Sequence, residues 1–407
     1  MKTVIISNIN KKLAITTIML CFAGLISNAQ KINFKNVSST HLPEISKSLR
    51  KNSMDAKTGD IDRDGDLDII VAVEFYKNHI LINDGNGNFS NGSNRLPDLK
   101  AELNPKPYPY YPYHDSEDIA FEDFDKDGDL DLIFVTEDDQ INEYYLNDGK
   151  GNFTNASQLF PTKGVSNGVL AGDFDADGWI DVIVANNGQN IFLKNSNGNF
   201  KDETINHLPK AADITQDMQA LDFDNDGDTD IIVANEKTNT LLINNGKGIF
   251  SDETAKYFNP EVLKDETREA TFADIDNDGN LDIYFANVEM FQKLEPIQRL
   301  LINKGSNKKL EDETEERLGF TKKYSVVDAQ FFDFDNDGDS ELLLVTQQGP
   351  RLFDNDGKGY FTDITEKTIG IINVFGVDSE IADFNNDGKS DIFISCYRGS
   401  DVLLIQN

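Results

Sequence analysis

Seven copies of one short acidic pattern are the residues of this chain best suited to chemistry. The pattern reads Asp-x-Asp-x-Asp-Gly-x-x-Asp, and an apolar run follows every copy. Successive copies begin 63, 50, 49, 52, 59 and 50 residues apart. Counted from the first Asp of each copy, positions 1, 3, 5, 7 and 9 are Asp60, Asp62, Asp64, Asp66 and Asp68; Asp123, Asp125, Asp127, Asp129 and Asp131; Asp173, Asp175, Asp177, Trp179 and Asp181; Asp222, Asp224, Asp226, Asp228 and Asp230; Asp274, Asp276, Asp278, Asn280 and Asp282; Asp333, Asp335, Asp337, Asp339 and Glu341; Asp383, Asn385, Asp387, Lys389 and Asp391.

Loops with this many oxygen atoms suit a hard divalent cation. Calcium takes six to eight oxygen ligands at about 2.3–2.6 Å, and the side chains at positions 1, 3 and 5 converge when such a loop curls. Glycine at position 6 permits the sharp turn, and position 7 supplies a backbone carbonyl, so Trp179 and Lys389 are acceptable there. Carboxylates this close repel one another strongly without a cation. The pattern therefore predicts up to seven bound Ca²⁺ ions, the seventh weakest because Asn385 removes a charge.

The segments around these loops have the character of short strands. About twenty residues after each copy comes a second signature of two apolar residues, Asn, a Gly-rich turn and an aromatic residue, as in residues 242–250. Asn-Gly and Asp-Gly between apolar runs indicate hairpins, because such turns need positive φ. One strand before the acidic loop, one after it and two around the Gly-rich turn give four strands per repeat.

Seven repeats of four antiparallel strands predict an all-β fold, a seven-bladed β-propeller. The last repeat stops at residues 403–407, after its third strand, with neither a turn nor a fourth strand. Residues 34–38 match the missing fourth strand. We therefore expect the N-terminal strand to complete the last blade, so that the ring closes and no strand edge stays exposed.

These repeats resemble those of the FG-GAP/VCBS family, which is related to the propeller of integrin α-chains. The resemblance covers residues 31 to 407 and implies a calcium-binding β-propeller of the bacterial secreted type. It also implies that the acidic loops connect strands, unlike the helix-flanked loop of an EF-hand. The literal Phe-Gly and Gly-Ala-Pro words are absent, so integrin-type ligand recognition does not carry over.

The N-terminus predicts where the protein acts, and the net charge excludes one class of partner. Residues 1–29 combine three Lys, an apolar run over 13–26 and a small-residue cleavage site at 27–29, which predicts a signal peptide. The domain would then span 30–407, exported to the periplasm, the cell surface or the medium, with no integral membrane segment in the mature chain. The 72 acidic against 38 basic residues give a net charge of −34, which argues against nucleic-acid binding.

Two further groups of residues could bind a ligand. Five residues before each loop lies an acid in six of seven copies, and these carboxylates could ring one mouth of the propeller channel as a cation or polyol site, supplement the calcium loops, or face water. They are Asp55, Asp118, Asp217, Glu269, Asp328 and Asp378, with Gly168 at the third copy. The longest interval carries a Pro-rich insertion whose aromatic residues suit stacking on sugars or protein contacts, or packing on the rim. They are Tyr108, Tyr110, Tyr111, Tyr113 and His114.

Three functions remain open at this point. The first is an exported calcium-binding propeller that serves as a binding or adhesion module for a glycan or protein ligand. The second is a polysaccharide-active, lyase-like enzyme with its site at the channel mouth near His114, although the chain shows no established catalytic motif. The third is a scaffold module in a surface assembly.

Overall fold

The computed structural model describes residues 31–49, 51–99, 112–137, 141–161, 164–289, 295–305, 308–321 and 324–407. The expected signal peptide therefore lies outside the described residues. Among those described, no helix has the length and apolar character needed to cross a bilayer.

Seven four-stranded antiparallel sheets form the blades of a propeller, which confirms the predicted fold. The strands, blade by blade, are β2 (Ser53–Gly59), β3 (Asp68–Val73), β4 (His79–Asn83) and β5 (Phe89–Asn91); β6 (Ser116–Glu122), β7 (Asp131–Thr136), β8 (Glu143–Asn147) and β9 (Phe153–Asn155); β10 (Ser166–Gly172), β11 (Asp181–Asn186), β12 (Ile191–Ser196) and β13 (Asn199–Asp202); β14 (Thr215–Leu221), β15 (Asp230–Asn235), β16 (Thr240–Ile243) and β17 (Ser251–Asp252); β18 (Thr267–Ala273), β19 (Asp282–Asn287), β20 (Arg299–Ile302) and β21 (Glu311–Asp312); β22 (Val326–Phe332), β23 (Glu341–Thr346), β24 (Gly349–Asn355) and β25 (Phe361–Asp363); β26 (Gly376–Ala382), β27 (Asp391–Cys396), β28 (Val402–Gln406) and the N-terminal β1 (Phe34–Asn36).

The ring closes through the two ends of the chain. Strand β1 pairs antiparallel with β28, Phe34 lying opposite Gln406 and Asn36 opposite Leu404. The first strand of each blade contacts the first strands of both neighbours, and β2 contacts β26 across the closure. The first strands are therefore innermost, and the expectation that the N-terminal strand completes the last blade is confirmed.

One apolar cluster fills each of the seven interfaces between adjacent blades. The second strand of every blade is buried along its whole length, so its two faces pack on different neighbours. The acidic loop adds a buried Ile or Phe at its position 2. The Phe384 ring, for instance, lies edge-on to Phe89 of the next blade at 5.6 Å. The acidic loops are thus anchored in the core on their inner side.

Short helical turns follow the fourth strands. The α-helices are α1 (Ser38–His41), α2 (Thr204–His207), α3 (Thr254–Tyr257), α4 (Thr314–Leu318) and α5 (Thr365–Thr368), and 3₁₀ turns cover Glu44–Lys47, Ser93–Arg95, Ser157–Leu159 and Pro260–Leu263. The Thr that begins α2 shows why the sequence repeats this residue. Thr204 Oγ1 donates to Asp202 at 2.7 Å and accepts from the backbone N–H of Phe192 at 3.0 Å. The hydroxyl therefore satisfies a backbone donor of the third strand just beyond its pairing with the fourth strand.

Candidate functional site

The acidic loops follow the C-terminal ends of the innermost strands, and their backbones share one conformation. In the first loop, Asp60 accepts hydrogen bonds from the N–H of Asp64 at 3.1 Å and of Gly65 at 3.0 Å, which curls the chain around its carboxylate. Gly65 has φ +95°, where a side chain is strained. Position 4 is left-handed in every copy, with φ between 58° and 60°, at Arg63, Lys126, Ala176, Asn225, Asn277, Asn336 and Asn386.

The acid at position 9 begins the buried second strand and ties the loop to the third strand. Asp68 Oδ1 accepts from the N–H of Asn83 at 2.8 Å, and the Asn83 amide donates to the carbonyls of Leu67 and, in the neighbouring blade, Phe384. Burial raises the pKa of Asp68 to about 7 and that of Glu341 to about 8. These acids are buried at a cost that a bound cation would offset.

The carboxylates in the loops converge as a calcium site requires. One oxygen each from Asp60, Asp62 and Asp64 lie within 4.8 Å of one another, and the second and third loops repeat this cluster. Several of the inward oxygens are buried without a hydrogen-bond donor among the described residues, for example Asp62 Oδ1 and Asp123 Oδ1. Acceptor oxygens gathered without donors are what a hard cation binds. The residues present therefore fit calcium.

The third and sixth loops differ from the others at one position of the third strand. In other blades an apolar residue, such as Ile82, Ile243 or Ile405, precedes the Asn or Gln near the end of the third strand. The third blade has Lys194 at this position, and the sixth has Asp354. The Lys194 ammonium contacts Asp175 and lies 2.8 Å from Asp177 Oδ2. This difference is visible in the sequence, because Lys194 stands where the repeated signature has an apolar residue before its Asn.

Asp354 has the opposite charge beside the sixth loop. Burial, and then the charge of Asp337, raise its pKa above the usual value. The sixth loop therefore has an additional carboxylate, and the third loop has an ammonium in contact with two of its own.

Neighbouring loops also contact each other around the ring. In three pairs of neighbouring loops, the side chain at position 4 of one loop contacts the residue at position 7 of the next. Arg63 forms an ion pair with Asp129, Lys126 Nζ lies 4.0 Å from the centre of the Trp179 ring, and Asn386 donates to Asp66 at 2.9 Å. Position 7 thus contributes a side chain to the contact between blades, a role that the sequence pattern did not show.

The six acids that precede the loops lie at the third position of the innermost strands. Five of them, Asp55, Asp118, Asp217, Glu269 and Asp378, line a central cavity of about 620 Å³. Asp118 accepts from the N–H of Val169 in the next blade at 2.7 Å, and Asp378 accepts from the N–H of Ala56 at 2.9 Å. These carboxylates therefore join neighbouring innermost strands and, at the same time, line the cavity.

The aromatic insertion is only partly described. Tyr108, Tyr110 and Tyr111 lie outside the described residues. The Tyr113 hydroxyl donates to Asp98 at 2.7 Å. His114 is buried, its Nε2 lies 3.5 Å from Glu143 Oε1, and it does not line the central cavity. The structure therefore does not bring His114 to the channel mouth, where the enzyme hypothesis needed it.

Comparisons with known proteins agree with this architecture. The model of the FG-GAP-like repeat matches residues 60–134, 123–184, 173–233, 222–285 and 333–394, and no curated protein sequence matches the chain. Among solved structures, BBS1N in complex with ARL6DN is similar in two crystals. The first has a TM-score of 0.55 and 10% identity over 92% of this chain and 97% of that one, and the second has 0.51 and 9% over 89% and 98%.

A lectin of Agrocybe aegerita, described as recognising non-reducing terminal N-acetylglucosamine, has a TM-score of 0.46 and 17% identity over 76% of this chain and 79% of its own. At these identities the two BBS1N matches bear on the fold alone, and nothing is argued from the lectin match. The repeat matches cover more than half of the sequence. The chain belongs to the family of FG-GAP-like repeat proteins.

Proposed function

We propose that this protein is an exported, calcium-binding β-propeller that serves as a binding module for a glycan or protein ligand. The observation that carries the proposal is the set of buried carboxylate oxygens without donors in the acidic loops, such as Asp62 Oδ1 and Asp123 Oδ1. Calcium in these loops would be structural. It would hold each loop against the neighbouring blade through contacts such as that of Asn83 with Phe384.

Calcium would stabilise the ring of blades, and the ligand would bind to one of the faces of that ring. The chain has no established catalytic motif, and His114 is buried against Glu143. Tyr113, next to the aromatic insertion, lies half-exposed beside the first two blades. Tyr side chains combine an apolar face with a polar tip, which suits contacts with sugars and proteins.

Thermal unfolding with and without calcium tests the first part of the proposal. Binding to the native state alone stabilises it by about 2.7 kcal/mol at a free ligand concentration 100 times Kd, for each site. We expect a melting temperature that rises with calcium and falls in excess EDTA. An unchanged melting curve in EDTA would refute the calcium sites.

The ligand is tested on the calcium-loaded protein with a glycan array and, separately, with capture of surface proteins of defined identity. Tyr113→Ala serves as the binding variant, and Tyr360→Ala, which changes an exposed Tyr in the turn between β24 and β25 of the sixth blade, serves as its matched control. Binding of one defined glycan or protein that Tyr113→Ala weakens supports the module. Conversion of a polysaccharide to shorter products by the same preparation would favour the enzyme instead.

A further inference from the structure

The central cavity is strongly anionic, and among the described residues the carboxylates that line it far outnumber the basic side chains. Ten carboxylates line its 620 Å³, together with the two basic residues Lys57 and Arg268. Cavities of about 300–1,000 Å³ are the size that binds small molecules. Five of the ten lie at the third position of the innermost strands, inside the ring, whereas the acidic loops follow the ends of those strands.

Asp55 gives this cavity an unsatisfied acceptor. The residue is 7% exposed, and its Oδ2 has no hydrogen-bond donor among the described residues, while the Asp118 carboxylate lies against it. Two carboxylates in contact need a proton or another cation between them. Burial, together with the charges of Asp118 and Asp378, raises the pKa of Asp55 well above its usual value, although Lys57 opposes the shift.

A second group of acids lies across the ring, in the fourth, fifth and sixth blades. Glu269 contacts Asp328, which is 1% exposed and has an Oδ1 without a donor among the described residues. Burial, and then the charge of Asp118, raise the pKa of Asp217 to about 7. Two anionic groups of side chains thus lie around the cavity, one on blades 1, 2 and 7 and one on blades 4 to 6, and Asp217 and Glu269 are the members of the second group that line the cavity itself.

The wall between these two groups is apolar. The third blade has Gly168 where the others have an acid, because a Cβ there would lie 2.8 Å from the carbonyl oxygen of Gln216. Val169 and Leu170 of that blade, with Met218 of the next, line the cavity on this side. A ligand that fits has positive charge at its ends and a hydrocarbon segment between them.

Lys57 shows which kind of cation the carboxylates accept. Its ammonium lies 3.0 Å from Asp55 Oδ1 and 3.7 Å from Glu380 Oε1, inside the same cavity. At the Asp55–Asp118 pair, a calcium ion would need six to eight oxygens at about 2.3–2.6 Å from it. Asp118 instead directs one oxygen to the N–H of Ile119 at 2.6 Å and the other to the N–H of Val169. An ammonium needs only one or two acceptors on each side, as Lys57 has.

We propose that the central cavity binds a small organic cation with two primary ammonium groups joined by a hydrocarbon chain. One ammonium is held by Asp55 and Asp118, and the other by Asp217 and Glu269. This site is independent of the glycan or protein ligand proposed above, and calcium in the loops does not occupy it.

Calorimetric titration of the calcium-saturated full chain with 1,5-diaminopentane tests the site, and 1,5-pentanediol is the neutral control ligand. We expect one diamine per chain and no heat with the diol. Asp217→Asn should weaken binding about tenfold or more, the usual effect of losing a hydrogen bond to a charged group. Glu261→Gln removes an exposed carboxylate from a turn outside the cavity and should leave the affinity unchanged.

The variant Lys57→Met tests whether the acids form a binding site or have only a structural role. The variant removes the resident ammonium and frees Asp55 Oδ1, so diamine binding should tighten. Weaker or unchanged binding in Lys57→Met would overturn the proposal. So would equal binding of the diol, displacement of the diamine by excess Mg²⁺, or an unaltered affinity in Asp217→Asn. If that variant does not fold, Glu269→Gln is held to the same expectation.

Discussion

Replacing Lys194 with methionine tests whether its ammonium competes with calcium in the third loop. The ammonium contacts Asp175 and lies 2.8 Å from Asp177 Oδ2, so two carboxylates of the loop already have a cation. Two unit charges 4 Å apart interact by about 1 kcal/mol even in bulk water, and a divalent ion doubles this repulsion to about 2 kcal/mol. Calcium should therefore bind the third loop about 30-fold more tightly in Lys194→Met than in the wild type. On this arithmetic the third loop joins the seventh as a weak calcium site of the wild type.

The same substitution should act in the opposite direction without calcium. The Lys194 side chain is 32% exposed, and partly exposed ion pairs contribute about 0.2–1 kcal/mol each, so losing two of them costs up to about 2 kcal/mol. Saturating calcium adds the stabilisation of a stronger site by mass action. Lys194→Met should therefore be less stable than the wild type in EDTA and more stable than the wild type in calcium.

Chemical unfolding in both conditions measures this change of sign, and native mass spectrometry at limiting calcium counts the bound ions. Lys201→Met is the matched control. Lys201 pairs with Lys194 across β12 and β13, but it is 77% exposed and contacts Glu203 outside the loop. Equal calcium affinities in the wild type and Lys194→Met, or the same sign reversal in Lys201→Met, would refute the competition.

Three further changes test the calcium loops, the closure and the core. Asp354→Asn should weaken calcium binding at the sixth loop, because it removes the additional carboxylate near Asp337, and a titration that shows no loss contradicts this. Phe34→Ala should cost about 3–5 kcal/mol, since Phe34 is 6% exposed, whereas exposed Lys35→Ala should cost little; equal unfolding midpoints would argue against closure by β1. Burial lowers the pKa of His79 to about 3, below its unfolded value, so stability is lost as pH falls below about 6.5. Between pH 7.5 and 5.0 the wild type should lose about 2 kcal/mol more than His79→Leu, as denaturant midpoints would show.

The fold followed from the sequence because the propeller repeats its local signals. Each acidic loop begins where an innermost strand ends, so the spacing of the loops counts the blades. The missing fourth strand after Leu403 and the unassigned strand at Phe34 are complementary only in a closed ring. The sequence placed the six acids at the start of the innermost strands but left open whether they line the channel, and five of them do.

The side-chain contacts between blades could not be predicted from the sequence, because they depend on which residues of different repeats lie close together in the ring. The contact of Lys126 with Trp179 joins residues 53 positions apart, and neither side chain belongs to the oxygen-ligand pattern. The burial of His114 against Glu143 was hidden for the same reason, since a His next to an acidic residue looks reactive in the sequence. The effect of Lys194 on the third loop was visible only as a charged residue at an apolar position.

The acidic excess of the chain divides into two layers that the innermost strands hold apart. In the first blade, Asp55 lines the cavity from within β2, and Asp60, five residues later, begins the loop just after β2 ends. At about 3.3 Å per residue, the two layers are about 17 Å apart, roughly twice the screening length at physiological salt. Calcium in the loops would therefore leave most of the cavity's charge uncompensated. The loops and the cavity are thus two separate groups of carboxylates, the first suited to a hard metal ion and the second, on the proposal above, to a larger organic cation.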